Sequence, residues 1–251
     1  MLVMGILNLT PDSFADGGRY NSLETALNHA RAMIAEGVDI LDIGGESTRP
    51  GADRVSADEE LARVIPVISA LADDGVPISI DTMRASTAKA AIDAGAQMIN
   101  DVSGGLADSQ MLKVAAQSKL PYIAMHWRGA SKDMNSRAVY GDVVHDVIGE
   151  LQERIFAALD AGISQESLII DPGLGFAKEA EHNWSIIDHI DEFVGLGYRV
   201  LVGGSRKRFL GAGTPDEREA ATVALTKRLS TSGIWGVRVH SVKPHKDVLH
   251  P

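Results

Sequence analysis

The chain contains no cysteine. That excludes disulfides, thiolate nucleophiles and zinc sites built on cysteine. It also lacks any apolar run near the ~20 residues that a membrane-spanning helix needs. No basic segment followed by an uninterrupted apolar stretch opens the sequence, so no signal peptide is expected. Basic residues are outnumbered: 24 Lys and Arg against 34 Asp and Glu give a net charge of −10 at pH 7. This balance argues against nucleic acid or an anionic membrane as a partner, while leaving room for a local basic pocket. Low-complexity segments, charge blocks and Pro/Ser-rich linkers are missing too. A cytoplasmic protein is the expectation. Its 251 residues, 45% of them hydrophobic, fit a single large domain over 1–251.

Several catalytic signatures are absent as well. There is no G-x-x-x-x-G-K-S/T phosphate loop, no G-x-S-x-G nucleophile turn and no H-E-x-x-H pair. "DPGLGFAK" (171–178) contains G-x-G but has Lys178 where a dinucleotide fingerprint needs its third glycine. His240, His245 and His250 recur every five residues, a spacing read as coincidence rather than a metal site.

What is present is a repeating pattern. Eight short apolar runs recur: "LVMGIL" (2–7), "DILDIG" (39–44), "PISID" (77–81), "QMIND" (97–101), "PYIAMH" (121–126), "SLIIDPG" (167–173), "RVLVGG" (199–204) and "WGVRVH" (235–240). Amphipathic stretches lie between them. "SADEELARVIPVISAL" has Ser56 and Glu59 at capping-box spacing, with Leu61, Val64, Ile65 and Ile68 at helical spacing. "NSLETALNHARAMIAEG" is expected to open a helix at Asn21 or Ser22. Strands alternating with helices predict a parallel (β/α)8 barrel, with an open doubly wound sheet as the alternative. After His240 only "SVKPHKDVLHP" remains. Pro244 is expected to interrupt it, leaving a truncated final helix and uncovered outer faces on the first and last strands.

In such a barrel the active site lies at the carboxyl ends of the strands. The runs end near Asn8; Asp42 and Glu46; Asp81 and Thr82; Asn100 and Asp101; His126; Asp171; Ser205, Arg206 and Lys207; and Arg238 and His240. Asp81 and Asp101 have a competing reading as helix caps, His126 as a core histidine and Lys207 as a solvated lysine. Asp81, Asn100 and Asp171 together match a flat, donor-rich heterocycle. Arg49, Arg238 and His240 are local cations able to converge on an anion. Asn8 offers a neutral oxygen to a Mg2+ ion held chiefly by substrate phosphates.

"MGILNLTPDSFADGG", "DIGGESTRPGA", "ISIDT", "INDVSGG", "DPGLGFAK", "GGSRKRFLG" and "VRVH" occur in the order found in the dihydropteroate synthase family, and "MHWRG" resembles its actinobacterial version. The resemblance runs from about Met4 to His240. It implies condensation of hydroxymethyl-dihydropterin pyrophosphate with p-aminobenzoate, giving dihydropteroate and pyrophosphate. It implies a magnesium-binding role for Asn8, and pterin binding by Asp81, Asn100, Asp171 and Lys207. Arg238 and His240 match the pair that holds pyrophosphate. Phe14 and Asp16 match one mobile loop, and Thr48 and Arg49 a second. Phe176, Pro50 and the segment around Lys207 resemble the aminobenzoate wall. Asp16, Arg49, Asp81, Asp171 and Lys207 are the implied catalytic group. The family also implies a homodimer and inhibition by sulfonamides. Two positions depart from its pattern: Ser241 stands where an aspartate is usual, and Arg208 where serine is common. A non-catalytic pterin-binding paralogue and a pterin-dependent methyltransferase domain are the competing functions.

Overall fold

A computed structural model describes residues 1–9, 19–47, 54–129 and 134–250, except the side chains of 19–22 and 134–135. Phe14, Asp16, Thr48, Arg49 and Pro50 lie outside the described residues. Eight parallel strands pair in sequence order and close into a barrel. They are β1 (Leu2–Asn8), β2 (Ile40–Gly44), β3 (Ile78–Asp81), β4 (Met98–Asp101), β5 (Tyr122–Met125), β6 (Leu168–Asp171), β7 (Arg199–Val202) and β8 (Gly236–Val239). The expected (β/α)8 barrel is therefore the fold. Around it run α1 (Arg19–Ala35), α2 (Ala57–Leu71), α3 (Ala85–Asp93), α4 (Met111–Ser118), α5 (Val143–Asp160), α6 (Ala180–Asp188), α7 (Ile190–Val194), α8 (Glu219–Leu229) and α9 (Lys243–Leu249).

The strand period of two divides the hydrophobic residues between two cores. Outward residues such as Leu41, Ile43, Ile78, Ile80, Ile99, Ile170, Val200 and Val237 pack against the helices. Inward residues Met4, Ile40, Met98, Ile123, Ile169 and Leu201 form a separate apolar plug. One step further along the inward faces the residues become polar: Asp42 on β2, Asp81 on β3, Asn100 on β4, Asp171 on β6 and Arg238 on β8. The plug is the floor of the site.

Helix starts follow local chemistry. Ser56 caps α2, its Oγ accepting the Glu59 N–H at 3.2 Å. The Glu59 side chain pairs with Arg63 instead of returning to the cap, so only half of the expected capping box forms. Asp142 caps α5 by accepting from Val144 N and His145 N. α1 opens at Arg19, two or three residues before the expected start.

Two expectations for the last segment are corrected: an interruption at Pro244 and uncovered outer faces on β1 and β8. Pro244 does not interrupt the last segment; it lies in the first turn of α9, where no backbone N–H is needed. Val242 is fully buried. A Cβ placed on Gly5 would lie 3.2 Å from Val242 Cγ2 and 2.9 Å from Val38 Cγ2, so glycine on β1 admits this close approach. Lys246 pairs with Asp39 at 2.7 Å, and the Lys243 N–H donates to Glu36 at 3.1 Å. His245 is buried against Thr226, 2.8 Å away. The outer-facing residues Val3, Leu7, Val237 and Val239 are all buried. α9 and the buried Val242 before it thus share with α1 and α8 in closing this side of the barrel.

Candidate active site

A guanidinium bridges two carboxylates at the barrel mouth. Arg238 donates from Nε to Asp42 Oδ2 at 2.6 Å and from Nη2 to Asp81 Oδ2 at 2.7 Å. Asn100 Nδ2 donates to the same Asp42 oxygen at 3.0 Å. Asp42, Asp81 and Asn100 are all buried. Burial pushes the Asp81 carboxyl up to about 7, with Arg238 pulling it down and Asp42 adding to the push. For Arg238, burial opposes the charge, but the Asp42 and Asp81 carboxylates outweigh it and raise its pKa. Two interior polar atoms, Asp42 Oδ1 and Ser79 Oγ, have no hydrogen-bond partner among the described residues. A buried acceptor left over at the floor suits a ligand that brings N–H donors.

Across the mouth, Asp171 Oδ1 accepts the Gly173 N–H at 2.7 Å. Burial raises its pKa, opposed by that hydrogen bond and by Lys207. Lys207 follows β7, donates to the Leu174 carbonyl and holds its Nζ 4.4 Å from the centre of the Phe176 ring. Burial pulls Lys207 down to about 8, with Asp171 acting to raise it. It is thus not the solvated lysine of the competing reading. His240 Nδ1 lies 2.9 Å from the Ser205 hydroxyl, whose oxygen accepts the His240 backbone N–H at 3.2 Å. The histidines have different surroundings: His240 lies against Ser205, His245 against Thr226, and His250 is the residue that ends α9.

The structure thus gathers Asp81, Asn100, Asp171, Phe176, Lys207, Arg238 and His240 at one end of the barrel. Asn8 ends β1 there, partly exposed and in register with Gly44. Its amide oxygen is the hard, neutral donor that suits one position of a Mg2+ shell whose other ligands come from phosphates and water. Groups of three or more potential metal-ligating side chains are absent among the described residues.

Asp81 is not a helix cap, because α3 opens after Arg84 and the Ala85 N–H goes to Asp108. Asp101 is structural: it accepts from Ser103 N, Ser103 Oγ, Gly105 N and Tyr122 Oη. Burial raises its pKa, and those bonds oppose the rise. Ser241, the departure from the family pattern, accepts from Arg206 Nη2 at 2.8 Å. Glu219 and Asp216 balance the Arg206 charge at 2.6 and 2.7 Å, a task an aspartate at 241 would otherwise share. Arg208, the other departure, is exposed and opens a short 3-10 turn.

Two features escaped the sequence reading. Asp42 is a strand-end residue there, yet it is the buried anchor of Arg238 and Asn100. Arg84 joins Glu46 at 2.5 Å, Glu60 at 2.6 Å and the Val55 carbonyl at 2.5 Å. Glu60 also accepts from Thr82 and Thr87, so this buried carboxylate is fully engaged. The network ties the strand end after Asp81 to both flanks of residues 48–53.

Residues 4–240 match the family described as pterin binding enzymes. The chain belongs to this family. It is 46% identical over 257 residues to the dihydropteroate synthase of Mycobacterium leprae (strain TN), covering 98% of this chain and 90% of that protein. Among solved structures, dihydropteroate synthase of Xanthomonas albilineans with 4-aminobenzoic acid superposes with a TM-score of 0.93 and 44% identity, covering 99% of this chain and 90% of that one. The Yersinia pestis enzyme in a sulfonamide complex gives a TM-score of 0.93 and 40% identity, covering 99% and 91%. The family and barrel expected from the motifs are thus the ones found. No helix among the described residues is long and apolar enough to cross a membrane.

Proposed function

We propose that the chain is a dihydropteroate synthase, condensing hydroxymethyl-dihydropterin pyrophosphate with p-aminobenzoate in folate synthesis. The carrying observation is the cluster of Asp42, Asp81, Asn100 and Asp171 above an apolar floor. Carboxylates and an amide at that depth accept from the amine and ring N–H groups of a pterin, and the plug below packs its flat face.

The bond to break joins the pterin methylene to the pyrophosphate oxygen, and its electron pair leaves with the pyrophosphate. Arg238 and His240 are assigned to the charge that develops there. The methylene becomes cationic, and Asp81 and Asp171 stabilise it. The amine lone pair of p-aminobenzoate forms the new C–N bond, and the surplus amine proton is lost. Phe176, Pro50 and the segment around Lys207 are assigned to the aminobenzoate wall, and Asn100 and Lys207 join Asp81 and Asp171 in binding the pterin. Asp16, Arg49, Phe14 and Thr48, outside the described residues, keep in this proposal the roles that the family resemblance implies, Asp16 and Arg49 in catalysis and Phe14 and Thr48 in substrate binding. Asn8 would hold a Mg2+ ion, which would supply positive charge against the pyrophosphate. A cytoplasmic homodimer, with small-molecule substrates as its ligands, completes the proposal.

A coupled assay for pyrophosphate release tests it. Release is expected only with both substrates present. Release at the same rate without p-aminobenzoate would identify a hydrolase instead, and no release with both would indicate a binding protein.

A further inference from the structure

The segment between Asp171 and α6 brings Phe176 into the site by an unusual backbone path. Gly173, Gly175 and Ala177 are all left-handed, with φ of 69°, 74° and 48°. A Cβ on Gly173 would lie 2.5 Å from the His126 carbonyl oxygen, and one on Gly175 would lie 2.7 Å from Lys207 Cδ. Ala177 has no glycine's freedom, so its surroundings hold it in place. Tyr140 Oη donates to the Ala177 carbonyl at 2.9 Å.

The larger hold is Lys178. Its side chain folds back beneath the segment and is buried. Nζ donates to the carbonyls of Gly173 at 3.1 Å and Phe176 at 3.2 Å, and lies 2.8 Å from His126 Nδ1. Three acceptors match the three N–H groups of an ammonium. Burial lowers the Lys178 pKa, and Asp171 acts to raise it. His126 is buried, with Nε2 2.9 Å from Glu150 Oε2. Burial and then Lys178 lower His126 to about 4. Burial raises Glu150, but hydrogen bonds from His126 and Arg128 outweigh it and bring its carboxyl to about 2. A neutral imidazole therefore donates from Nε2 to a carboxylate and keeps Nδ1 free to accept from Lys178.

On the other side of the segment, Lys207 takes the Leu174 carbonyl and faces the Phe176 ring. The carbonyls of 173, 174 and 176 are thus divided between two lysines, one beneath the segment and one in the site. We propose that Lys178, oriented by His126 and Glu150, is a positioning residue that sets the Phe176–Lys207 contact and through it the binding of p-aminobenzoate. This rests on the assignment of Phe176 and the segment around Lys207 to the aminobenzoate wall. Lys178 touches no substrate; it acts by fixing the peptide planes on either side of Phe176.

Steady-state kinetics with each substrate varied in turn tests the assignment. For Lys178→Met the KM for p-aminobenzoate is expected to rise about tenfold, while that for the pterin pyrophosphate stays within about twofold. His126→Gln is expected to move the same constant by a smaller factor. Phe176→Ala serves as the reference. If it leaves the p-aminobenzoate KM unchanged, the wall assignment itself fails. If it raises that KM but a folded Lys178→Met does not, or raises both constants in parallel, the positioning role is overturned. Should Lys178→Met fail to fold, His126→Gln decides by the same split, and an unchanged p-aminobenzoate KM overturns the proposal.

Discussion

Arg238 Nη2 donates to Asp81 Oδ2 at 2.7 Å, so the cation assigned to the pyrophosphate and a carboxylate assigned to the ring are partners in the free protein. Ring and pyrophosphate subsites therefore share a charge. Asp81→Asn or Asp171→Asn is expected to weaken pterin binding by about 1–3 kcal/mol, or roughly 5- to 150-fold, by replacing a buried acceptor with a partial donor. Because of the ion pair, Asp81→Asn is also expected to change affinity for inorganic pyrophosphate, and Asp171→Asn much less. Titration calorimetry with pterin and pyrophosphate separately checks both; equal effects of the two variants on pyrophosphate would contradict the shared-charge picture.

The same carboxylate makes stability depend on pH. Burial raises Asp81 to about 7, so the folded protein holds its proton more tightly than the unfolded chain does. That contribution is full below the ordinary carboxylate range near pH 4 and is lost as pH rises toward about 7. His126, lowered to about 4, acts in the opposite sense and costs stability as pH falls from about 6.5. Comparing variants separates the two. The melting temperature of Asp81→Asn relative to the parent protein is expected to climb by several degrees from pH 4 to pH 7, and a flat difference in thermal melts would refute the assignment.

Asn8 is a single hard donor, so it is expected to tune a metal requirement without making a tight site. Asn8→Ala should raise the Mg2+ concentration giving half-maximal rate by about tenfold, with little change in melting temperature. Tight Mg2+ binding by the substrate-free protein in equilibrium dialysis would contradict a site completed by pyrophosphate.

Sulfonamides are expected to compete with p-aminobenzoate. Phe176→Ala should raise their inhibition constants about tenfold while sparing pterin affinity. A noncompetitive pattern against p-aminobenzoate would count against the wall assignment.

Gly5 gives a test confined to the fold. Adding a methyl group against Val38, Met33 and Val242 overpacks the seam beneath α9. Gly5→Ala is expected to destabilise by about 1–3 kcal/mol, and Val242→Ala to return part of the loss in the double variant. Additive losses in chemical denaturation would show that the two positions do not share the seam.

The barrel and most of its mouth were legible because strand period and strand-end chemistry are local. Asp81, Asn100, Asp171 and Arg238 each follow an apolar run directly. The Asp42–Arg238 pair was not legible, since its partners are 196 positions apart and only barrel closure joins them. Lys178 was visible merely as the wrong residue for a dinucleotide loop; its hold on the Phe176 segment depends on His126, 52 positions away. Pro244 misled for a different reason. Proline breaks a helix interior yet is welcome in a first turn, and the sequence alone left the turn boundary open.

The pairing of β1 with β8, sealed by α9, also sets the order of events during synthesis. β1 starts at Leu2 and is made before its β8 neighbour, which begins at Gly236. At about 5–20 residues per second, a wait of roughly 10–50 s separates the two. Through that interval β1 has a bare hydrogen-bonding edge, a template for the wrong strand. The edge of β1 that faces β8 is therefore the barrel edge left open longest, and the synthesis of β8 and α9 ends that exposure.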